Sequence, residues 1–275
     1  MSRVIAIANQ KGGVGKTTTA INLGAGLAVA ERRTLIIDLD PQGNATSGVG
    51  INRAELDRSI YDVLVDGLPL QDAIREQVHF PFLDVVPSSP DLIGAEVELV
   101  ERSSRELGLR NALEAVRPAY EYILLDCPPS LGLLTLNTLA AADTVMIPIQ
   151  CEFYALEGLS QLLNTIRVVQ QNLNPRLQVE GVLLTMYDNR LNLSRQVAEE
   201  AKEYFGSRVF TSVIPRNVRL AEAPSFGKPI VLYDILSAGA QSYLALANEV
   251  IANTAETADP HAVVRAAEAA ERAGR

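Results

Sequence analysis

Short runs rich in Val, Ile and Leu recur along the chain at residues 4–8, 34–38, 83–86, 122–126, 144–149, 179–185 and 209–214, without a strict alternation of apolar and polar positions. Runs of this kind and length are what a parallel sheet requires, because helices cover both of its faces. Between them, residues 16–30, 107–116, 156–171, 193–205 and 238–255 carry the apolar spacing of helices. Pro87, Pro128, Pro129, Pro175 and Pro215 sit at the joints, where they end elements instead of breaking them. The pattern predicts an α/β fold: a single doubly wound, mostly parallel sheet with helices on both faces. It places one domain over residues 1–255. Residues 256–275, rich in Ala, Glu and Arg with Val263 and Val264 as the larger apolar groups, are expected to form a solvated helical or frayed tail.

The joint between the first strand and the first helix is the most informative stretch. It reads Lys11-Gly12-Gly13-Val14-Gly15-Lys16-Thr17-Thr18. Glycines let backbone N–H groups turn inward around a phosphate, and the helix N-terminus adds partial positive charge. Lys16 can reach β- and γ-phosphates, and the Thr17 hydroxyl can ligate Mg2+. The strict pattern G-x-x-x-x-G-K-[ST] fails, because Gln10 stands where its first glycine belongs, and a second lysine, Lys11, opens the loop. A dinucleotide fingerprint fails too, since Gly13-Val14-Gly15 is followed by Lys-Thr-Thr. Two apolar strands end in carboxylates, at Asp38-Leu39-Asp40 and at Asp126. In an open α/β sheet ligands bind beyond the carboxyl ends of strands, where such groups can hold Mg2+ directly or through water. An isolated Asp at a strand end is otherwise a cap or turn residue; the glycine loop gives these a second meaning.

Composition narrows the setting. The 275 residues carry 24 Lys and Arg against 33 Asp and Glu, a net charge of −9, which argues against a constitutive nucleic-acid coat. Cys127 and Cys151 with His79 and His261 make neither a disulfide framework nor a zinc site of recognised spacing, so a reducing cytosol is expected. The apolar stretch at residues 4–8 is too short for a signal-peptide core, and no run reaches the roughly 20 residues that cross a bilayer. The charge is uneven: residues 186–229 hold seven Lys and Arg against five Asp and Glu, while the rest is strongly acidic.

Four segments in order, Asn9-Gln10-Lys11-Gly12-Gly13-Val14-Gly15-Lys16-Thr17-Thr18, Asp38-Leu39-Asp40-Pro41-Gln42-Gly43-Asn44, Asp126-Cys127-Pro128-Pro129-Ser130 and Ile214-Pro215-Arg216-Asn217-Val218-Arg219-Leu220-Ala221-Glu222-Ala223-Pro224-Ser225, resemble the ParA/Soj chromosome-partitioning ATPases. They spread over nearly the whole chain. The resemblance implies a P-loop NTPase with a deviant Walker A loop that pairs face to face as a homodimer around two ATP molecules. Lys11 would then be the signature lysine reaching across to the partner's phosphates, stabilising charge much as an arginine finger does. Lys16 would hold the phosphates in cis, Thr17 would bind Mg2+ with Asp126 behind it through water, and Asp38 would support them near the metal. Asp40 would position the attacking water. Gly12, Gly13, Val14, Gly15 and Thr18 would supply the remaining phosphate contacts, and Pro215 and Asn217 would lie beside the adenine.

The resemblance also implies non-specific binding of double-stranded DNA through Arg190 and Arg219, a ParB-like centromere-binding partner that stimulates hydrolysis, and a cytoplasmic, nucleoid-associated protein without membrane contact. Lone surface arginines are otherwise solvated. Three other readings share parts of the pattern. A MinD-like division-site ATPase uses nearly the same loop but needs a C-terminal amphipathic membrane helix, and the tail lacks its basic and bulky apolar faces. An iron–sulfur reductase like the nitrogenase iron protein needs two cluster cysteines, and the separation of Cys127 from Cys151 does not match; buried small hydrophobes are the plain reading of both. A partition ATPase moving a plasmid or a protein assembly has the same motifs. No helix-turn-helix segment precedes the first strand, so sequence-specific autorepression is not expected.

Overall fold

The computed structural model describes residues 2–152 and 157–258. The tail expected beyond residue 255 falls mostly at 259–275, outside the described residues. Six strands, β1 (Arg3–Ile7), β2 (Thr34–Asp38), β3 (Leu83–Val86), β4 (Tyr122–Asp126), β5 (Thr144–Gln150) and β6 (Gln178–Thr185), pair in parallel in the order β3-β2-β4-β1-β5-β6. The connecting helices are α1 (Lys16–Val29), α2 (Asn44–Gly48), α3 (Leu92–Glu98), α4 (Gly108–Leu113), α5 (Leu133–Ala141), α6 (Glu157–Asn172), α7 (Asn192–Phe205), α8 (Val218–Glu222), α9 (Ile230–Tyr233) and α10 (Ala238–Ala258). The chain winds outward from β1 to β2 and β3, returns through β4, and leaves on the other side through β5 and β6. That reversal puts a crevice beyond the carboxyl end of β1, the place where such sheets bind ligands.

Each strand divides its side chains between two cores. From β1, Val4 and Ala6 join the core formed with Leu134 of α5, Leu162 of α6 and Val197 of α7. Ile5 and Ile7 point the other way, against Ile21 and Leu27 of α1 and Tyr243 and Leu246 of α10. Both faces of the central strands are therefore buried, as their apolar runs require.

The run at 209–214, read as a seventh strand, is not one. Phe210 N–H donates to the Val182 carbonyl at 3.0 Å and Ile214 N–H to the Leu184 carbonyl at 2.9 Å, but only Val209 forms a bridge to β6. The intervening amides are taken elsewhere: Thr211 N–H and Ser212 N–H donate to the two carboxylate oxygens of Glu249 on α10, at 2.7 and 2.8 Å. A side chain from the neighbouring helix thus satisfies donors that the sheet ladder would otherwise pair. The helix read at 107–116 is also shorter, confined to α4, while α5 was not foreseen at all.

Candidate functional site

β1 delivers the chain into the loop, and α1 begins at Lys16. Gly13 and Gly15 have φ of +75° and +89°, the left-handed region in which a Cβ is strained, so glycine is needed at both. Gly15 is the N-cap of α1 and no side chain caps that end, which leaves its first amides turned toward the crevice. The loop is pinned from two sides. Asn9 accepts from Lys11 N–H at 3.0 Å and donates to the Pro148 carbonyl at 2.7 Å, and the Thr185 hydroxyl donates to the Val14 carbonyl at 2.9 Å. Lys16 is buried and its ammonium donates to the Lys11 carbonyl at 3.2 Å. Burial lowers its pKa, an effect partly offset by the charges of Asp126 and Asp40.

Below the loop, Asp38 and Asp126 are register partners across β2 and β4, and both are fully buried. Asp38 is satisfied: the Thr46 amide and hydroxyl donate to one oxygen at 2.8 and 2.7 Å, and Asp40 N–H donates to the other at 3.2 Å. Burial nevertheless pushes its carboxyl up to about 6. Asp126 has no partner in hydrogen-bonding geometry for either oxygen. Burial, then the charge of Asp38, raise its pKa well above the usual carboxylate range, with Thr17 and Lys16 pulling the other way. A buried, unpartnered carboxylate costs free energy unless something completes it. Together with the Thr17 hydroxyl it is an oxygen donor set suited to Mg2+, which takes few protein ligands and keeps its waters. Among the described residues no cluster of three or more His, Cys, Asp or Glu could hold a metal, so any cation here relies on water and on its ligand for most of its shell.

A cavity of about 470 Å3 opens over the loop, lined by Gly12, Gly13, Lys16, Thr17, Thr18 and Asp40 on one side. Gln42, Asn44 and Ser47 from the α2 loop, with Pro129 and Pro224, close the other sides. Asp40 is held by Gln42 N–H at 2.9 Å and its carbonyl accepts from the Ser88 hydroxyl at 2.7 Å. A second cavity, about 190 Å3 and mostly apolar, adjoins the first through Gly15, Thr18 and Met186 and is lined by Pro215, Asn217 and Tyr243. Asn217 caps α8 through its side-chain oxygen, which accepts from Leu220 N–H at 3.4 Å. The larger chamber, with Lys16 and the uncapped start of α1 at its wall, suits phosphates, and the mostly apolar one suits a base.

Most of the expected residues meet in one place. Lys11 is half-buried, Val14 is buried, and Asp38 lies beside Asp126 on the adjacent strand with its oxygens already engaged. Arg190 and Arg219 line neither cavity. Arg190 is 84% exposed and paired with Asp188 at 2.7 Å. Arg219 pairs with Glu222 at 3.0 Å and Asp234 at 3.5 Å and lies 6.0 Å from the Tyr233 ring. Cys127 and Cys151 are buried, and burial pushes both thiols up to about 12.

A family model described as an AAA domain matches residues 2–179. The sporulation initiation inhibitor protein Soj of Bacillus subtilis (strain 168) is 60% identical over 253 residues, covering 92% of this chain and 100% of that one. The chromosome partitioning protein ParA of Myxococcus xanthus (strain DK1622) is 59% identical over 251 residues, covering 91% and 88%. The chain belongs to the ParA/Soj family. A solved structure of cobyrinic acid a,c-diamide synthase from Mycobacterium smegmatis, with bound ATP analog and magnesium, is 38% identical with a TM-score of 0.78, covering 90% of this chain and 93% of that one.

Several residues that shape this ParA/Soj site escaped the sequence reading. Met186 joins the two cavities with φ +51°, unusual for a residue with a Cβ. Tyr243 is fully buried under the apolar chamber, its hydroxyl 3.1 Å from that of Thr19. Neither has a local signal, because each reaches the site from a distant part of the chain. Asn217, which the resemblance already implied, carries a local signal of its own: a polar cap residue directly before a short helix. Among the described residues no helix is long and apolar enough to cross a membrane.

Proposed function

We propose that this protein is an ATP-hydrolysing switch for chromosome partitioning, in which ATP closes a homodimer that binds DNA without sequence preference and hydrolysis, stimulated by a ParB-like partner, releases it. The observation that carries the nucleotide reading is the glycine loop with Lys16 and Thr17 lining a phosphate-sized chamber that adjoins an apolar one, with the buried, unpartnered Asp126 close to both of those side chains. The ATP analog and magnesium held by the Mycobacterium smegmatis neighbour support it. Similarity to ParA and Soj over 91% and 92% of this chain supports the partitioning role.

Bound Mg2+ supplies neutralisation of phosphate charge, and Thr17 and Asp126 are the residues that would hold it, Asp126 through water. The chain's own groups do the rest. The first amides of α1 and the Lys16 ammonium orient the phosphates and stabilise negative charge as it builds on the terminal group. Asp40, at the wall of the same chamber, orients the attacking water and accepts a hydrogen bond from it. Lys11 reaches the partner copy's phosphates, and so ties closure of the dimer to the presence of a terminal phosphate. Asp38 keeps Asp40 and the α2 loop in position through its three accepted hydrogen bonds. Pro215 and Asn217 flank the base. Arg190 and Arg219 contact DNA phosphates outside the pocket, in a cytoplasmic protein associated with the nucleoid.

Two substitutions separate binding from turnover. Lys16→Ala removes nucleotide binding in calorimetry. Asp40→Ala keeps binding and the ATP dimer, seen by size-exclusion chromatography, and lowers hydrolysis by about two orders of magnitude, the scale of a lost positioning group. Wild-type turnover in Asp40→Ala would remove the water-positioning role.

A further inference from the structure

The phosphate chamber's outer wall is built from two segments far apart in sequence. Gln42, Asn44 and Ser47 come from the α2 loop, and Pro224 comes from the turn between α8 and α9. These two segments touch very closely just behind the wall. Gly50 and Gly227 both have positive φ, +82° and +62°. A Cβ on Gly227 would lie 2.6 Å from the Gly50 Cα, and one on Gly50 would lie 2.9 Å from the Gly227 carbonyl oxygen. Only bare backbone fits at this contact.

A third segment ties the two together through hydrogen bonds. His79, in the loop before β3, donates from Nε2 to the Val49 carbonyl at 2.9 Å and to the Gly227 carbonyl at 2.8 Å. Both partners are acceptors, so Nε2 carries the proton and shares it between them. Among the described residues, hydrogen bonding between the α2 loop and the α8–α9 turn runs through this one ring. His79 itself has φ +65°, uncommon outside glycine, although His, Asn and Asp tolerate it best. Its neighbours Val78 and Phe80 pack against the core beside α1 and α10, so the ring is presented from an anchored base.

What hangs on the second segment gives the tie its consequence. Arg219 on α8 sits five residues before Pro224, and its partners Glu222, Tyr233 and Asp234 belong to the same turn-and-helix unit. We infer that His79 is a positioning residue that couples occupancy of the phosphate chamber to the segment carrying Arg219: when a terminal phosphate orders the α2 loop, the shared Nε2–H carries that order across to α8. The inference rests on the nucleotide reading of the chamber proposed above, and it adds a route from that chamber to the surface arginine.

The test is hydrogen exchange on the full chain, with and without a non-hydrolysable ATP analogue and Mg2+, in wild type, His79→Asn and His79→Gln. Asn tolerates the positive φ but its shorter amide cannot reach both carbonyls, whereas the Gln amide nitrogen extends to about where Nε2 lies. Wild type and His79→Gln gain protection on ligand addition at both 42–51 and 218–228. His79→Asn gains it at 42–51 and loses roughly five- to tenfold of the gain at 218–228, the effect of one hydrogen bond on local opening. An unchanged response at 218–228 in His79→Asn overturns the inference, as does an equal loss in His79→Gln. Protection of wild type at 42–51 alone overturns it while leaving the nucleotide reading standing. Protection at neither segment removes the nucleotide reading first and the coupling with it.

Discussion

Asp126 and Asp38 are paired across β2 and β4 and both are fully buried, and the carboxyl of each is held above its usual range by burial first. A carboxyl whose pKa is raised on folding favours its protonated form in the fold. Its contribution to stability is therefore complete below the unfolded value and is lost as pH rises through the folded one. For Asp38 that window runs from 3.8 to about 6, and for Asp126 it likewise opens upward from 3.8. Asp126→Asn removes the unpartnered charge while keeping the volume. In the nucleotide-free protein it should raise the melting temperature at about pH 8, with the gain shrinking toward about pH 4, where wild type is protonated as well. The same variant should lose the stabilisation that Mg2+ with nucleotide gives wild type. A melting temperature lower than wild type at the higher pH contradicts this account of the aspartate. The Asn side chain lacks the charge that the proposed cation needs, so on that reading stability and function pull in opposite directions at this residue.

At the scale of elements, the segment at 209–214 owes its place to α10 and not to the sheet. Glu249→Ala leaves the Thr211 and Ser212 amides without their acceptor. It should cost about 1–3 kcal/mol in urea unfolding, the scale for hydrogen bonds to a charged group. Glu249→Gln, which keeps one acceptor, should recover part of that. This segment also shows what the sequence could and could not reveal. All six strands were legible because their runs are rich in Val, Ile and Leu, and the run at 209–214, with Val209, Phe210, Val213 and Ile214, resembles them. What diverts it is a single carboxylate 38 residues away, which no local pattern contains. The opposite failure occurs at α5, where Leu134, Thr135, Asn137, Thr138 and Leu139 are all buried. A helix covered on every side has no polar stripe, so its period is invisible. The phosphate loop and its carboxylates were legible because their chemistry demands fixed spacing. Met186, Tyr243 and His79 were not, because they reach the two chambers and their wall through tertiary contacts alone.

The whole molecule carries a net charge of −9, and its mildly basic stretch at 186–229 includes both Arg190 and Arg219. Each arginine already has carboxylate partners, Asp188 for one and Glu222 with Asp234 for the other. Exposed pairs of this kind are weak, so DNA phosphates can displace them, but the exchange yields little net gain for a single copy. On the proposed reading, two copies held face to face would double the number of arginines offered to one duplex, and the surrounding negative charge would discourage binding by either alone. Binding should accordingly be steep in salt. The most direct measurement is the affinity of the full chain for random-sequence double-stranded DNA with ATP, with ADP, and with ATP after Arg219→Glu. The account predicts tight binding with ATP, and binding weaker by at least about tenfold both with ADP and in the Arg219→Glu variant. Equal affinity in all three would contradict it.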